Sequence, residues 1–227
     1  LPVCTGAPPP RAEVPVPARM KLAPGELARM VAVALQGHGA ALGVAEDAGL
    51  LAAFAQGLGK PAVAAVLQHC KAMERSALLA APAALDQALA TQGSEVRTCV
   101  DAWLVEGLAV QVARRGFVGR LHWRSNSDRG CLVAAPAPGG VRLAAVPPEA
   151  GDLREDGFVL QVLPPSANSI PPDARDLAAQ EAAWHRNGLD LATCEFWALH
   201  DAGKALLVPQ ADEPRFLPAG MDPLKSF

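Results

Sequence analysis

The spacing of apolar residues changes near the middle of the chain, at about residue 116. Before that point apolar side chains recur every three or four residues, as at Leu27, Val31 and Leu35, which is the period of an amphipathic helix. From residue 117 to residue 163 apolar and polar positions tend to alternate, which is the period of a strand with one buried face. The pattern therefore predicts helices first and an antiparallel sheet afterwards.

Glycine and proline divide the first half of the chain into helices. Proline favours the first turn of a helix and glycine the residue after its end, so these residues mark the boundaries. Residue Ser94 is a predicted N-cap, and Gly116 ends the last helix of this part. Five helices are predicted, at residues 24–37, 45–57, 61–70, 82–92 and 94–115.

The second half of the chain reads as a meander of strands followed by helices. The polar loop at residues 125–130 and the turn at residues 138–140 separate the first strands. The predicted strands are residues 117–124, 131–135, 141–146 and 158–163. After a proline-rich break, two helices at 173–187 and 190–202 and a short strand at 204–208 complete the prediction.

Because helices and strands are segregated, with no βαβ alternation, the predicted class is α+β and a doubly wound fold is disfavoured. The N-terminal helical bundle should pack on the central antiparallel sheet. Residues 1–19 are rich in proline and are expected to be a flexible tail. Residues 20–227 are predicted to be a single domain, with a helical part at 20–116, a sheet part at 117–165, and C-terminal helices and strand at 172–227.

Composition narrows the classes of function. Half of the chain (51%) is apolar, 19% is charged and the formal net charge is −3. Nucleic-acid binding is not expected, because it needs an excess of Lys and Arg. No apolar run reaches the roughly 18 to 20 residues that span a bilayer, so no membrane association is expected. The five cysteines are widely spread, which favours free thiols and a cytoplasmic location.

Residue spacings typical of well-known chemistries are absent from the sequence. There is no CxxC, HExxH, GxSxG, GxGxxG or GKS/GKT pattern, which disfavours zinc fingers, zincins, serine hydrolases, dinucleotide binders and P-loop enzymes. His69 and Cys70 are adjacent on a predicted helix, so their side chains point about 100° apart and suit a shared ion poorly. No metal and no cofactor is expected.

The strand at 117–124 carries the strongest candidate site. Side chains alternate across a strand, so Arg120, His122 and Arg124 share one face, close to Asp128 in the following loop. Two guanidiniums beside an imidazole suit a carboxylate or phosphate, and His122 is a candidate general base. The alternative is that this face is the solvated outer side of an antiparallel sheet.

Other polar and aromatic residues have plain structural interpretations. Glu46 and Asp47 are predicted to begin the second helix, where the dipole favours acidic residues. Trp184 and Trp197 are interpreted as core residues of the two late helices. Cys194 and His200 lie six positions apart, about 600° around a helix, so they do not form a nucleophile–base pair on one face.

Two stretches share a residue pattern with a known family. The first follows Glu26-Leu27-Ala28 and reads HGAALGVAEDAG at residues 38–49, with Leu42 where the family usually has tryptophan. The second runs from Trp197 through Val208-Pro209 to Arg215 and Gly220. These stretches resemble DUF3726, an uncharacterised bacterial family known only as a domain of unknown function. The resemblance implies a single integrated bacterial domain and implies no chemistry.

Three functions follow from these observations. The leading hypothesis is a non-catalytic cytoplasmic binding or accessory protein that holds a small anionic ligand or a protein partner. The first alternative is an enzyme of unrecognised family that acts on a small anionic substrate, with His122 as the base and Arg120 and Arg124 orienting the substrate. The second alternative is a structural or assembly subunit whose alanine-rich helices pair with copies of itself.

Overall fold

The computed structural model describes residues 17–71, 77–92, 95–98, 102–125, 128–148, 157–165 and 170–207. The helices in these ranges are α1 (Pro24–Gly37), α2 (Leu42–Gly57), α3 (Ala62–His69), α4 (Ala77–Ala90), α5 (Val105–Arg114), α6 (Ala178–Asn187) and α7 (Thr193–Leu207). The strands are β1 (Arg19–Leu22), β2 (Glu95–Thr98), β3 (Val118–Ser125), β4 (Asp128–Ala137), β5 (Gly140–Val146), β6 (Gly157–Leu163), β7 (Arg175–Asp176) and β8 (Leu189–Ala192). Helices grouped on an antiparallel sheet confirm the predicted α+β class.

Six of these strands form one antiparallel sheet in the order β2-β6-β3-β4-β5-β7. The run from β3 to β5 is the predicted meander, and β6 returns along the free side of β3. In this register His122 lies opposite Cys131 on β4 and opposite Val159 on β6. Strand β3 is therefore an interior strand of the sheet.

The apolar side of β3 faces the helices. Leu121 is fully buried, and Trp123 packs against the same main core. At Gly119 an added Cβ would lie 2.6 Å from the carbonyl oxygen of Ala109, so α5 packs directly on the strand backbone. Any side chain at this position would push α5 off the sheet.

Helix α1 lies between α2 and α7, and small residues bring the three helices together. A Cβ added at Gly49 would lie 2.3 Å from the carbonyl oxygen of Ala28, so α1 and α2 touch through their backbones. At Gly203 of α7, an added Cβ would lie 3.0 Å from Val33 Cγ1. The alanine-rich composition therefore serves close helix packing, and α2-α1-α7 present one outer surface.

The predicted short strand at residues 204–208 is wrong over its described part, because residues 204–207 continue α7. Gly203 does not end that helix, because its missing side chain makes room for Val33 of α1. A short strand does occur nearby, at β8, where it pairs with β1 in a separate two-stranded sheet. The helix predicted from residue 190 begins only at Thr193.

The predicted helix at residues 94–115 is wrong in its first part. Residues Glu95–Thr98 form β2, which pairs with β6 at the edge of the large sheet and buries Val96. The helix proper is α5, preceded by a 3₁₀ turn at Ala102–Leu104. Strand β2 therefore lies within residues 20–116, the part predicted to be helical. Arg19, the last residue of the predicted tail, begins β1. The division of the chain into a flexible tail and a single domain stays a prediction.

Candidate functional site

Strand β3 places Arg120, His122 and Arg124 on one side of the sheet, opposite the helices. The alternative interpretation of a solvated surface does not hold for His122, which is only 4% exposed, although Arg124 on the same side is exposed. A second apolar cluster lies on the same side of the sheet, with Cys131 directly opposite His122. It is formed by Val118, Cys131, Val133 and Ala135, with Val146, Leu163 and Ile170 packed against them. The central residue of the predicted site is therefore part of an internal packing layer.

The predicted site residues already have interactions within the chain. The Nε2 atom of His122 lies 3.9 Å from the Sγ atom of Cys131. Arg120 and Arg124 each have further partners within the chain, as does His122 itself. Asp128 is the first residue of β4 and lies opposite Ser125, one register step beyond Arg124. A ligand at this face would compete with those contacts.

Concave surface occurs elsewhere in the described parts of the chain. One groove of about 320 Å³ lies beside β5, where Glu106 forms ion pairs with Lys60 at 2.8 Å and with Arg175 at 3.1 Å. Two others flank α1, and none of the three includes Arg120, His122 or Arg124. In the β5 groove the carboxylate of Glu106 is neutralised by two cations, whereas the two grooves on α1 carry charged residues beside exposed apolar side chains.

The groove between α1 and α2 has a volume of about 560 Å³. Its floor and walls are formed by Gly25, Ala28, Arg29, Ala32, Val33, Gln36, Leu42, Glu46, Asp47 and Leu50. Leu42, Glu46 and Leu50 recur every four residues, so they form one stripe along α2. Leu42 is 60% exposed and Leu50 is 54% exposed, although helices of globular proteins usually bury their large apolar residues.

The charged residues of the α1–α2 groove are not neutralised within the described chain. Arg29 stands on one wall, with Glu46 and Asp47 on the other, and none of the three forms an ion pair or side-chain hydrogen bond among the residues described. Elsewhere on the surface such pairs are made, for example Arg114 with Glu181 at 2.9 Å. The groove therefore offers both signs of charge beside exposed leucines.

The second groove, between α1 and α7, has a volume of about 330 Å³ and shares Arg29 and Val33 with the first. Beside it, Trp197 makes an edge-on contact with Phe196 at 5.1 Å and another with His200 at 5.5 Å between ring centroids. Trp197 is nevertheless 52% exposed. The two grooves together form what we call the helical face: Arg29 and Val33 in the centre, the Leu42–Leu50 stripe on one side and Trp197 on the other.

Two structural interpretations made from the sequence are wrong at this face. Trp197 is not a core residue, whereas Trp184 does pack against the main core, 5.6 Å from Phe54 between ring centroids. Glu46 and Asp47 do not begin α2, because that helix starts at Leu42 and carries no acidic residue in its first turn. Leu42, Glu46 and Leu50 are four residues apart in the sequence. A predicted helix that began at Leu42, and not at residue 45, would have placed all three on one stripe.

Asp201 on α7 and Cys70 at the end of α3 are two groups whose pKa values are shifted. A hydrogen bond from Lys204, at 2.6 Å, together with the charge of that ammonium group, lowers the pKa of Asp201. Burial raises the pKa of the Cys70 thiol, so this cysteine stays neutral and inert near pH 7. Neither arrangement supplies an activated nucleophile or base.

No protein-family model and no curated protein matches the chain. The resemblance to DUF3726 stays a prediction. Among the helices that the structure describes, none has the length and apolarity needed to cross a bilayer. The fold and its grooves define an α+β protein with an exposed, amphipathic helical face.

Proposed function

We propose that this chain is a non-catalytic binding or accessory protein that docks a protein partner on its helical face. The observation that carries the proposal is the placement of exposed apolar residues. Among the residues described, the large apolar side chains that remain exposed are Leu42, Leu50, Trp197 and Leu206, and all four lie on α2 or α7. Clustered exposed apolar side chains rimmed by polar residues mark interaction surfaces.

The shape and chemistry of the helical face favour a protein over a small molecule. Its two grooves are open troughs on either side of one helix, which suit the side chains of a second helix better than a small compact ligand. Arginine and tryptophan are enriched at interface hot spots, and the helical face has Arg29 at its centre and the half-exposed Trp197 at one side. A small anion is less well supported, because Arg120, His122 and Arg124 already have interactions within the chain.

The location we propose is the cytoplasm. Cys70, Cys131 and Cys194 are free thiols, and Cys194 is exposed. Exposed free thiols suit a reducing compartment. This inference supports a partner that is itself cytoplasmic.

Site-specific photo-cross-linking in the cells that make the protein tests the proposal. A photo-activatable amino acid replaces Leu42 in one variant and Trp197 in another. The control replaces Gln87 on α4, which is also exposed to solvent but lies outside the helical face. We expect protein adducts from the two helical-face positions and none from position 87. Equal yields of adduct from all three positions, or no adduct from any of them, would contradict the proposal.

A further inference from the structure

We propose that the α1–α2 groove docks the same groove of a second copy of this chain, about a two-fold axis that runs along the groove. This inference rests on the proposed function, because it names the occupant of part of the same helical face. The dimer would contain an interface of four helices, two from each copy, with charged residues meeting across it.

The geometry of the hairpin sets which residues would face each other. Helices α1 and α2 are joined by only four residues, 38–41, and touch at Ala28 and Gly49, so they are antiparallel neighbours. A two-fold axis parallel to both helices lays α1 of one copy over α2 of the other and keeps residues at their own height. Arg29, Glu46 and Asp47 line the same groove, so Arg29 of each copy meets the acidic pair of the other.

Charge complementarity favours a copy over other occupants. In a two-fold interface each contact occurs twice, so both arginines and both acidic pairs gain partners at once. A partner helix with only basic residues would satisfy Glu46 and Asp47 but would be repelled by Arg29. A purely acidic partner would meet the opposite conflict. The groove carries both signs of charge, and a second copy supplies both complements.

The apolar residues fit the same arrangement. Leu42 and Leu50 of one copy would flank Val33 and Arg29 of the other, so the exposed stripe would enter the interior of a four-helix bundle. The contact would extend along α2, whose 16 residues give a length of about 24 Å. Four-helix bundles of two hairpins pack in this way at small crossing angles.

Charge reversal in two complementary variants tests the proposal, because self-association should be lost in each variant and recovered in their mixture. One variant carries Arg29→Glu, and a second carries Glu46→Lys with Asp47→Lys. Each variant alone would oppose like charges at both contacts of the two-fold interface, so we expect self-association about a hundredfold weaker than that of wild type. When the two variants are mixed, both contacts become attractive, so a mixed dimer should form at twice the chain mass of 23.5 kDa.

Analytical ultracentrifugation of the purified full chains gives the masses, and circular dichroism confirms that each variant is folded. The matched controls are Arg115→Glu and Asp86→Lys, which change exposed charges outside the groove and should leave the mass of the wild-type dimer unchanged. A wild-type chain that stays at 23.5 kDa overturns the proposal, as does a mixture that remains monomeric.

The two proposals fail in different ways. Cross-links from position 42 to a different protein, together with a monomeric wild-type chain, would overturn the second copy and leave the binding function standing. Cross-links between two copies would support both proposals. Absence of any adduct from the helical face would overturn the binding function itself.

Discussion

The sheet face around His122 and the helical face around Arg29 both carry polar residues, yet they differ in what covers them. On the sheet, His122 is buried beside Cys131, and its neighbouring arginines have partners within the chain. On the helices, Leu42 and Leu50 are more than half exposed, and the groove charges form no ion pair among the residues described. The centre of the sheet face is internal packing, whereas the leucines of the helical face are exposed.

This difference shows how polarity alone can mislead. A row of Arg, His and Arg on one strand has the composition of an anion site, but later segments of the chain can cover it. A row of Leu, Glu and Leu on one helix has the composition of a buried seam, but here no described element covers it. Tertiary packing around the strand or helix determines which surface stays exposed and can therefore contact a partner.

The largest loss of stability is expected at Gly49, where helices α1 and α2 touch through their backbones. Gly49→Ala places a Cβ 2.3 Å from the carbonyl oxygen of Ala28, a backbone atom that cannot move alone. Overpacking of this kind should lower the free energy of unfolding by about 3 kcal/mol. Chemical denaturation measures the change.

The matched control for that variant is Gly43→Ala, on the same helix but with no heavy atom within 4 Å of the added Cβ. It should leave stability unchanged or raise it by up to about 1 kcal/mol, since alanine is the better helix former. Equal effects of the two substitutions would show that α1 and α2 do not touch as described.

A somewhat smaller loss should follow from removing the buried imidazole of the sheet face. His122→Ala deletes a side chain packed beside Cys131 and should cost about 2 kcal/mol, as large-to-small changes in a core do. Thermal and denaturant unfolding provide the measurement. Arg124→Gln, at an exposed position of the same strand, serves as the comparison and should change stability less. A His122→Ala chain as stable as wild type would mean that the sheet face is not internal packing.

Substitution of the exposed leucines should barely change the stability of the isolated chain. The double variant Leu42→Gln with Leu50→Gln replaces side chains that contact mainly solvent, so each change should stay within about 0.5 kcal/mol. The measurement is made at low protein concentration, so that association does not contribute. A large loss would place these leucines in the core and remove the contrast between the two faces.

The smallest expected effect concerns the ion pair on α7. Lys204 lowers the pKa of Asp201 in the folded chain below its ordinary value of 3.8. The ionised carboxylate therefore stabilises the folded state at pH values above 3.8. That contribution is lost as the pH falls through the lowered, folded-state pKa. Asp201→Asn should therefore slightly flatten the acid side of the stability–pH profile, and only slightly, because the group is exposed. A steeper acid side in the variant would contradict the assigned role of Lys204.

Much of the fold could be predicted from local sequence. The α+β class, the helix at Pro24–Gly37 and the meander from β3 to β5 follow from periodicity and from glycine and proline positions. What could not be predicted depends on tertiary contacts. Glu95–Thr98 is a strand because it pairs with β6, and α7 continues past Gly203 because that glycine fits against Val33.

The candidate site was harder to predict for the same reason. Alternation correctly placed Arg120, His122 and Arg124 on one side of β3. It carried no information on the apolar cluster, including Cys131 and Ile170, that packs on the same side of the sheet. The helical face depends on which side of α2 is left uncovered by α1, and that is set by the contact at Gly49. Sequence spacing identified the stripes, and only packing showed which of them is exposed.

The most direct test of the contrast is the mass in solution of three chains measured side by side over a dilution series: wild type, Leu42→Gln with Leu50→Gln, and Arg124→Gln. We expect wild type and Arg124→Gln to reach twice the chain mass of 23.5 kDa, whereas the double leucine variant should remain a monomer. A wild-type chain that is monomeric at every concentration, or a leucine variant that associates as wild type does, would show that the helical face is not a surface for self-association.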